Sequence, residues 1–208
     1  MSPVSNKLIL WAVDLQADFM LPAGKLYVQG AERLLPNVKR LIGAARQGHV
    51  FVVSHGCFHA PDDPEFKAFP PHCVKGTAGA EYIPEALTEK VALIANNPGS
   101  ALPADLSQFH QILLEKQTLD IFQSVHAEEL LRHLPASAAF IVFGVTTEYC
   151  VRLAAEGLLR RGKRVFIVED AVEALKREDG ERAKTELSIL GGTLISTHQA
   201  LALLRSSA

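Results

Sequence analysis

Short, unbroken apolar runs alternate along the chain with segments whose apolar residues recur at helical spacing. Leu8–Val13, Val50–Ser54, Val91–Ala95, Gln111–Glu115, Ala139–Phe143 and Arg164–Val168 read as strands, with Thr193–Ser196 a weaker one. They show little apolar–polar alternation, which is the pattern of parallel strands covered on both faces. Between the first two, Leu34, Leu35, Val38, Leu41, Ile42 and Ala45 share a helical face and complete a β-α-β unit. Further helices are predicted at about 126–134, 148–161, 178–190 and 197–205. This alternation predicts an α/β fold, a three-layer α/β/α sandwich around a mainly parallel, Rossmann-like sheet of about six strands.

One segment breaks the rhythm. Residues 55–90 hold three His, two Cys and five Pro, with little periodicity before about residue 82. A long irregular insertion inside a compact domain is usually functional.

At 208 residues the chain has the length of one domain with a substantial core. Its 48% hydrophobic and 21% charged content is ordinary for a globular protein. A net charge of −2 and the lack of a basic cluster give no reason to expect a nucleic-acid or membrane partner. Met1–Lys7 lacks the charged-then-apolar order of a signal peptide, and the apolar run after it is cut by Asp14, too short to span a bilayer. Cys57, Cys73 and Cys150 are an odd, widely spaced set, which argues against a disulfide framework and for a reducing compartment, with the cytoplasm as the expected location.

In open α/β sheets, sites gather at the carboxyl ends of the strands. Asp14 ends the first predicted strand, His55 to His59 follow the second, Lys116 ends another, and Cys150 follows Ala139–Phe143. Reactive side chains from four strand ends therefore meet on one edge. Thr147 is positioned to cap the helix after that last strand, which would place Cys150 in the first turn, where the helix field favours thiolate. An ammonium such as Lys116 stabilises a thiolate, and a carboxylate such as Asp14 can take the thiol proton and return it to a leaving group. Taken singly, each has a duller reading: Asp14 as a strand-end cap, Lys116 as a solvated strand end, Cys150 as an inert buried thiol.

Val13-Asp14-Leu15-Gln16-Ala17-Asp18-Phe19, Lys116 after a strand, and Gly144-Val145-Thr146-Thr147-Glu148-Tyr149-Cys150 resemble the isochorismatase-like cysteine hydrolases. The stretch from Phe69 through His72, Cys73 and Gly79 to Glu81 is similar to their nicotinamidase branch. The resemblance runs from about residue 8 to 200 and implies that residues 1–208 form a single hydrolase domain, with 55–90 as its metal and substrate loop. It implies that Cys150 attacks a carboxamide to form a thioester, with Asp14 shuttling the proton and Lys116 holding the thiolate. It also implies a cis peptide at Val145–Thr146 and an oxyanion hole built from the backbone N–H groups of Thr146 and Cys150. Phe19 and Phe69 match positions lining the family's pocket, and Tyr149 adjoins the nucleophile. Homo-oligomers are common in the family, so one is expected here.

Nicotinamidases hold a divalent metal beside the triad, commonly through an Asp-x-His pair. This chain keeps the histidine, His59, but has Cys57 where the aspartate is expected; His72 and Glu65 complete the candidate set. All four are competent ligand types, and the thiolate favours a softer ion, so zinc is expected first, with iron or manganese as alternatives and no organic cofactor. Against this, Cys57 could simply pack, Glu65 could be solvated, and His59 could pair with Asp62 or Asp63. The expected reaction is hydrolysis of a small planar carboxamide, nicotinamide to nicotinate plus ammonia. The alternatives are cleavage of an N-carbamoyl or other linear amide by the same triad, or a noncatalytic scaffold. A dinucleotide fold is disfavoured because no Gly-x-Gly-x-x-Gly follows the first strand, and Gly76-Thr77-Ala78-Gly79 lacks the lysine of a phosphate loop.

Overall fold

A computed structural model describes residues 7–46 and 50–207; residues 1–6, read above as lacking a signal peptide, lie outside the described residues. The elements in chain order are β1 (Leu8–Val13), α1 (Ala17–Met20), α2 (Leu35–Arg46), β2 (Phe51–Cys57), β3 (Val91–Ile94), β4 (Gln111–Lys116), α3 (Ala127–His133), β5 (Ala139–Val145), α4 (Arg152–Arg160), β6 (Arg164–Glu173), α5 (Arg177–Ile189), β7 (Thr193–Ile195) and α6 (Thr197–Ser207).

The strands form one sheet in the order β3-β4-β2-β1-β5-β6-β7, every pairing parallel. The expected sheet of about six strands thus has seven, because Thr193–Ile195 is long enough to pair with β6. Each strand sends alternate side chains into two cores. Leu8, Leu10 and Ala12 pack with Val38, Leu41 and Ile42 of α2 and Leu204 of α6. Ile9, Trp11 and Val13 pack with Leu130 of α3, Ala154 and Leu158 of α4, and Leu187 of α5. Burial on both faces explains the unbroken apolar runs and gives the three layers.

Three strands run further than their apolar residues. β2 continues through His55 to Cys57 because β4 pairs with it up to Cys57↔Lys116. β5 reaches Val145 and β6 reaches Glu173 because Gly144 and Val145 pair with Val172 and Glu173 past a register shift. Gly144 is required there: at φ +123 its backbone lies so close to β1 that a Cβ would sit 2.0 Å from the Val13 carbonyl oxygen.

From central β1 the chain adds β2, then the edge strand β3, then β4 between them, and crosses to the other side for β5, β6 and β7. The crossover places the switch point between β1 and β5, with a crevice beyond their carboxyl ends, where α/β folds bind ligands. Among the described residues, no helix is long and apolar enough to cross a membrane.

Candidate active site

Four strand ends deliver the candidate residues to that crevice. Asp14 follows β1 with φ +49, a conformation aspartate tolerates better than most side chains, and its N–H donates to the His55 carbonyl at 2.9 Å. Lys116 and Cys57 end β4 and β2 and face each other in the ladder. Cys150 lies in a single π-turn, Thr147–Val151, between β5 and α4. This differs from the expected capped α-helix. The helix starts only at Arg152, Thr147 is inside the turn, and Thr146 precedes it without a side-chain cap. The Val145–Thr146 peptide is cis.

Asp14, Lys116 and Cys150 come together in full burial. Lys116 Nζ stands 3.0 Å from Asp14 Oδ2 and 3.5 Å from Cys150 Sγ. It is closer still to Cys57 Sγ, at 2.9 Å, and Cys57 Sγ lies 3.9 Å from Asp14 Oδ2. Burial disfavours the ammonium, but Asp14, then Cys150 and Cys57, hold the Lys116 pKa well above that of a free lysine. Two thiols thus compete for one cation. A hydrogen bond from Cys150, and then the Lys116 charge, hold Cys57 well below an ordinary thiol despite burial. The same bond and burial push Cys150 well above. Within the pair the thiolate is thus favoured at Cys57 over Cys150.

The metal candidates also converge. Cys57, His59 and His72 bring one ligand atom each to within 4.8 Å of one another. Glu65 Oε1 lies 3.8 Å from both His59 Nε2 and His72 Nε2. The segment 55–90 forms this cluster by folding back on itself: the His59 N–H donates to the Cys73 carbonyl and the Lys75 N–H to the His59 carbonyl. His59 Nδ1 lies 3.0 Å from Asp63, and His72 Nδ1 lies 2.8 Å from the Pro70 carbonyl oxygen. The pairing with Asp63 is therefore compatible with metal binding, since a partner on Nδ1 leaves Nε2 for a ligand. Asp63 also accepts from the Glu65 N–H at 2.9 Å, so one carboxylate places two candidate ligands.

Burial disfavours the His59 imidazolium, yet Cys57, Asp63 and Glu65 push its pKa up to about 9. A field that binds a proton this strongly favours any cation. Glu65 is raised by burial first and then by the Cys57 charge. One thiolate, two imidazoles and a carboxylate, with the buried His59 Nε2 lacking a hydrogen-bond partner, fit a divalent cation. Cys73 is buried and its thiol is raised by that burial, an inert structural residue.

A pocket of about 310 Å³, mouth included, opens over these groups. Asp14, Cys57, Glu65, His72, Thr146 and Cys150 form its polar end; Phe19, Leu26, Phe69, Leu119, Tyr149 and Leu175 form its walls. Phe69 meets His72 and Tyr149 edge-on, with centroids 6.3 and 5.7 Å apart. Leu26, Leu119 and Leu175 were not marked by the sequence, because a lone leucine in a connection has no distinguishing pattern. Phe66, packed against both His59 and His72, was missed for the same reason.

Two positioning residues stand in the quoted Asp14–Phe19 stretch without their type giving a role. Gln16 accepts from the Cys57 N–H at 2.8 Å and donates to the Cys57 and Ala80 carbonyls at 2.6 and 2.8 Å. Asp18 accepts from the Cys73 N–H at 2.7 Å and the Lys25 N–H at 2.9 Å. Together they tie 55–90 to the end of β1.

The sequence profile described as Isochorismatase domain matches residues 8–199. The nicotinamidase of Escherichia coli strain K12 is 24% identical over 207 residues, covering 89% of this chain and 92% of that protein. The pyrazinamidase of Pyrococcus horikoshii, solved in complex with zinc, is 27% identical with a TM-score of 0.73, covering 91% of this chain and 99% of that one. The N-carbamoylsarcosine amidase of Thermoplasma acidophilum is 26% identical with a TM-score of 0.70, covering 92% and 96%.

Proposed function

The chain belongs to the isochorismatase domain family and is an amide-bond hydrolase, and within that class we propose that it converts nicotinamide, or a close planar carboxamide, to the acid and ammonia. The observation that carries the reading is the Cys150 thiol beside the buried Asp14–Lys116 pair, at the base of an apolar pocket. No lysine or arginine lines that pocket among the described residues, and Phe19, Phe69, Tyr149 and three leucines make its walls flat and apolar. That favours a neutral flat amide over an N-carbamoyl amino acid, the other substrate class represented among the similar structures.

In this mechanism Asp14 takes the Cys150 proton as sulfur attacks the carboxamide carbon. The backbone N–H groups of Thr146 and Cys150 receive the oxyanion. Asp14 then passes the proton to the departing nitrogen, the C–N bond breaks, and ammonia leaves a thioester on Cys150. Water, deprotonated by Asp14, attacks the thioester, releasing the acid and restoring the thiol. Lys116 offsets charge on Asp14 and sulfur throughout. Phe19, Phe69 and Tyr149 flank the ring of the substrate. Cys57, His59, Glu65 and His72 would hold a divalent metal, zinc by the softness of the thiolate, which when bound supplies a Lewis acid to a substrate lone pair. A homo-oligomer in the cytoplasm is the setting inferred from the family resemblance and cysteine usage.

Two results test this reading. Ammonia release should favour nicotinamide over N-carbamoylsarcosine by about 10²-fold or more in kcat/KM, because the aromatic walls contact a planar ring and not a linear chain; the reverse order would transfer the assignment to the linear amides. Cobalt-loaded protein should show sulfur-to-cobalt charge-transfer absorption that disappears in Cys57→Asp while near-equimolar metal remains on elemental analysis. Absorption unchanged by that substitution would remove Cys57 from the ligand set.

A further inference from the structure

Behind Asp14, on the side away from Lys116, lie polar groups that the mechanism does not use. His55 is fully buried, with Nδ1 3.4 Å from Asp14 Oδ1, and its ring meets the Trp11 ring edge-on with centroids 6.0 Å apart. Among the described residues, Trp11 Nε1, both His55 ring nitrogens and Asp14 Oδ1 lack any hydrogen-bond partner. Four buried polar atoms without partners on three neighbouring side chains are unusual, because such atoms nearly always find one.

Donor and acceptor types match across the two rings and the carboxylate. An indole N–H only donates, a carboxylate oxygen only accepts, and a neutral imidazole does one at each nitrogen. We propose that Trp11 donates to His55 Nε2, fixing the tautomer in which His55 Nδ1–H donates to Asp14 Oδ1, so that His55 is the positioning residue for the catalytic carboxylate. A doubly protonated ring would set its Nε2–H against the indole N–H, donor against donor. The backbone already holds the pieces in place: the His55 carbonyl accepts from the Asp14 N–H at 2.9 Å and from the Tyr82 hydroxyl, and Val13 pairs with His55 in the ladder. With Lys116 on Oδ2 at 3.0 Å and His55 on Oδ1, both carboxylate oxygens are engaged and its rotation is fixed. The role for His55 in turnover rests on the reading of Asp14 as the proton shuttle; the tautomer does not.

Two measurements on the metal-loaded protein separate those claims. Long-range ¹H–¹⁵N spectra of ¹⁵N-labelled protein should show His55 as the Nδ1–H tautomer, with its pattern altered in Trp11→Phe; an Nε2–H tautomer would overturn the chain whatever the activity. In steady-state hydrolysis, His55→Leu should lower kcat about 10-fold or more with KM little changed, since misplacing a reacting group costs turnover. His55→Asn keeps an N–H near the place of Nδ1 and should restore kcat to within about 3-fold of wild type. Trp11→Phe should lower kcat in the wild-type background and not in the His55→Asn background, where no tautomer needs setting. Equal losses for Leu and Asn, or equal costs of Trp11→Phe in both backgrounds, would overturn the positioning role. A wild-type protein releasing no ammonia from any amide would instead refute the functional reading and leave the tautomer result standing.

Discussion

Cys150→Ala should release ammonia from nicotinamide at least about 10⁴-fold more slowly than wild type, because covalent catalysis by one sulfur has no substitute once that sulfur is gone. The test is sharper than usual because a second cysteine shares the same ammonium. Cys57 is nearer Lys116 than Cys150 is, 2.9 against 3.5 Å, and a hydrogen bond from Cys150 and that ammonium lower its pKa. Charge alone would nominate Cys57 as the nucleophile. Position favours Cys150: it lies in the turn after β5 whose N–H groups are the proposed oxyanion donors, whereas Cys57 Sγ clusters with His59 and His72. Cys57→Ser should therefore lower metal affinity and leave measurable turnover, while Cys150→Ala should keep the metal and lose the reaction. Circular dichroism and thermal melts of both variants check that each is folded.

Lys116→Met should lower kcat about 10²- to 10³-fold and destabilise the protein by about 3 kcal/mol, the range found when one member of a buried ion pair is deleted. The methionine fills most of the lysine volume, so the cost is electrostatic rather than a cavity. Asp14, buried beside the Cys57 sulfur, would lose its ammonium partner at 3.0 Å. Adding Asp14→Asn to Lys116→Met should restore much of the stability, since no buried carboxylate is then uncompensated, and none of the activity. Urea titrations of the two single variants and the double variant measure the coupling. Additive destabilisation would mean that the pair does not interact as its geometry indicates.

Much of the architecture was legible because burial on both faces leaves a plain mark: Leu8–Val13 and Ala139–Phe143 have no polar residue for water to reach. Strand ends were less legible. His55, Gly56 and Cys57 extend β2, and Glu169 to Glu173 extend β6, through ladder bonds to neighbours that a single segment does not reveal. The candidate triad could be read because a strand-end position and a reactive side-chain type coincide at Asp14, Lys116 and Cys150. The π-turn could not, since its apolar spacing continues that of α4. Nor could the proximity of Cys57 to Lys116, which follows from the register between β2 and β4. Gln16 and Asp18 act through hydrogen bonds to backbone groups distant in sequence, whereas the local pairing of Asp63 with His59 was open to sequence reading; Leu26, Leu119 and Leu175 act only by shape.

The central claim is that Cys150 carries the acyl group during turnover. Protein mixed with excess nicotinamide, quenched in acid within milliseconds and digested, should yield the peptide containing Cys150 with a thioester-linked nicotinoyl group that is cleaved by hydroxylamine. The same label on the peptide containing Cys57, with the Cys150 peptide unmodified, would contradict the account.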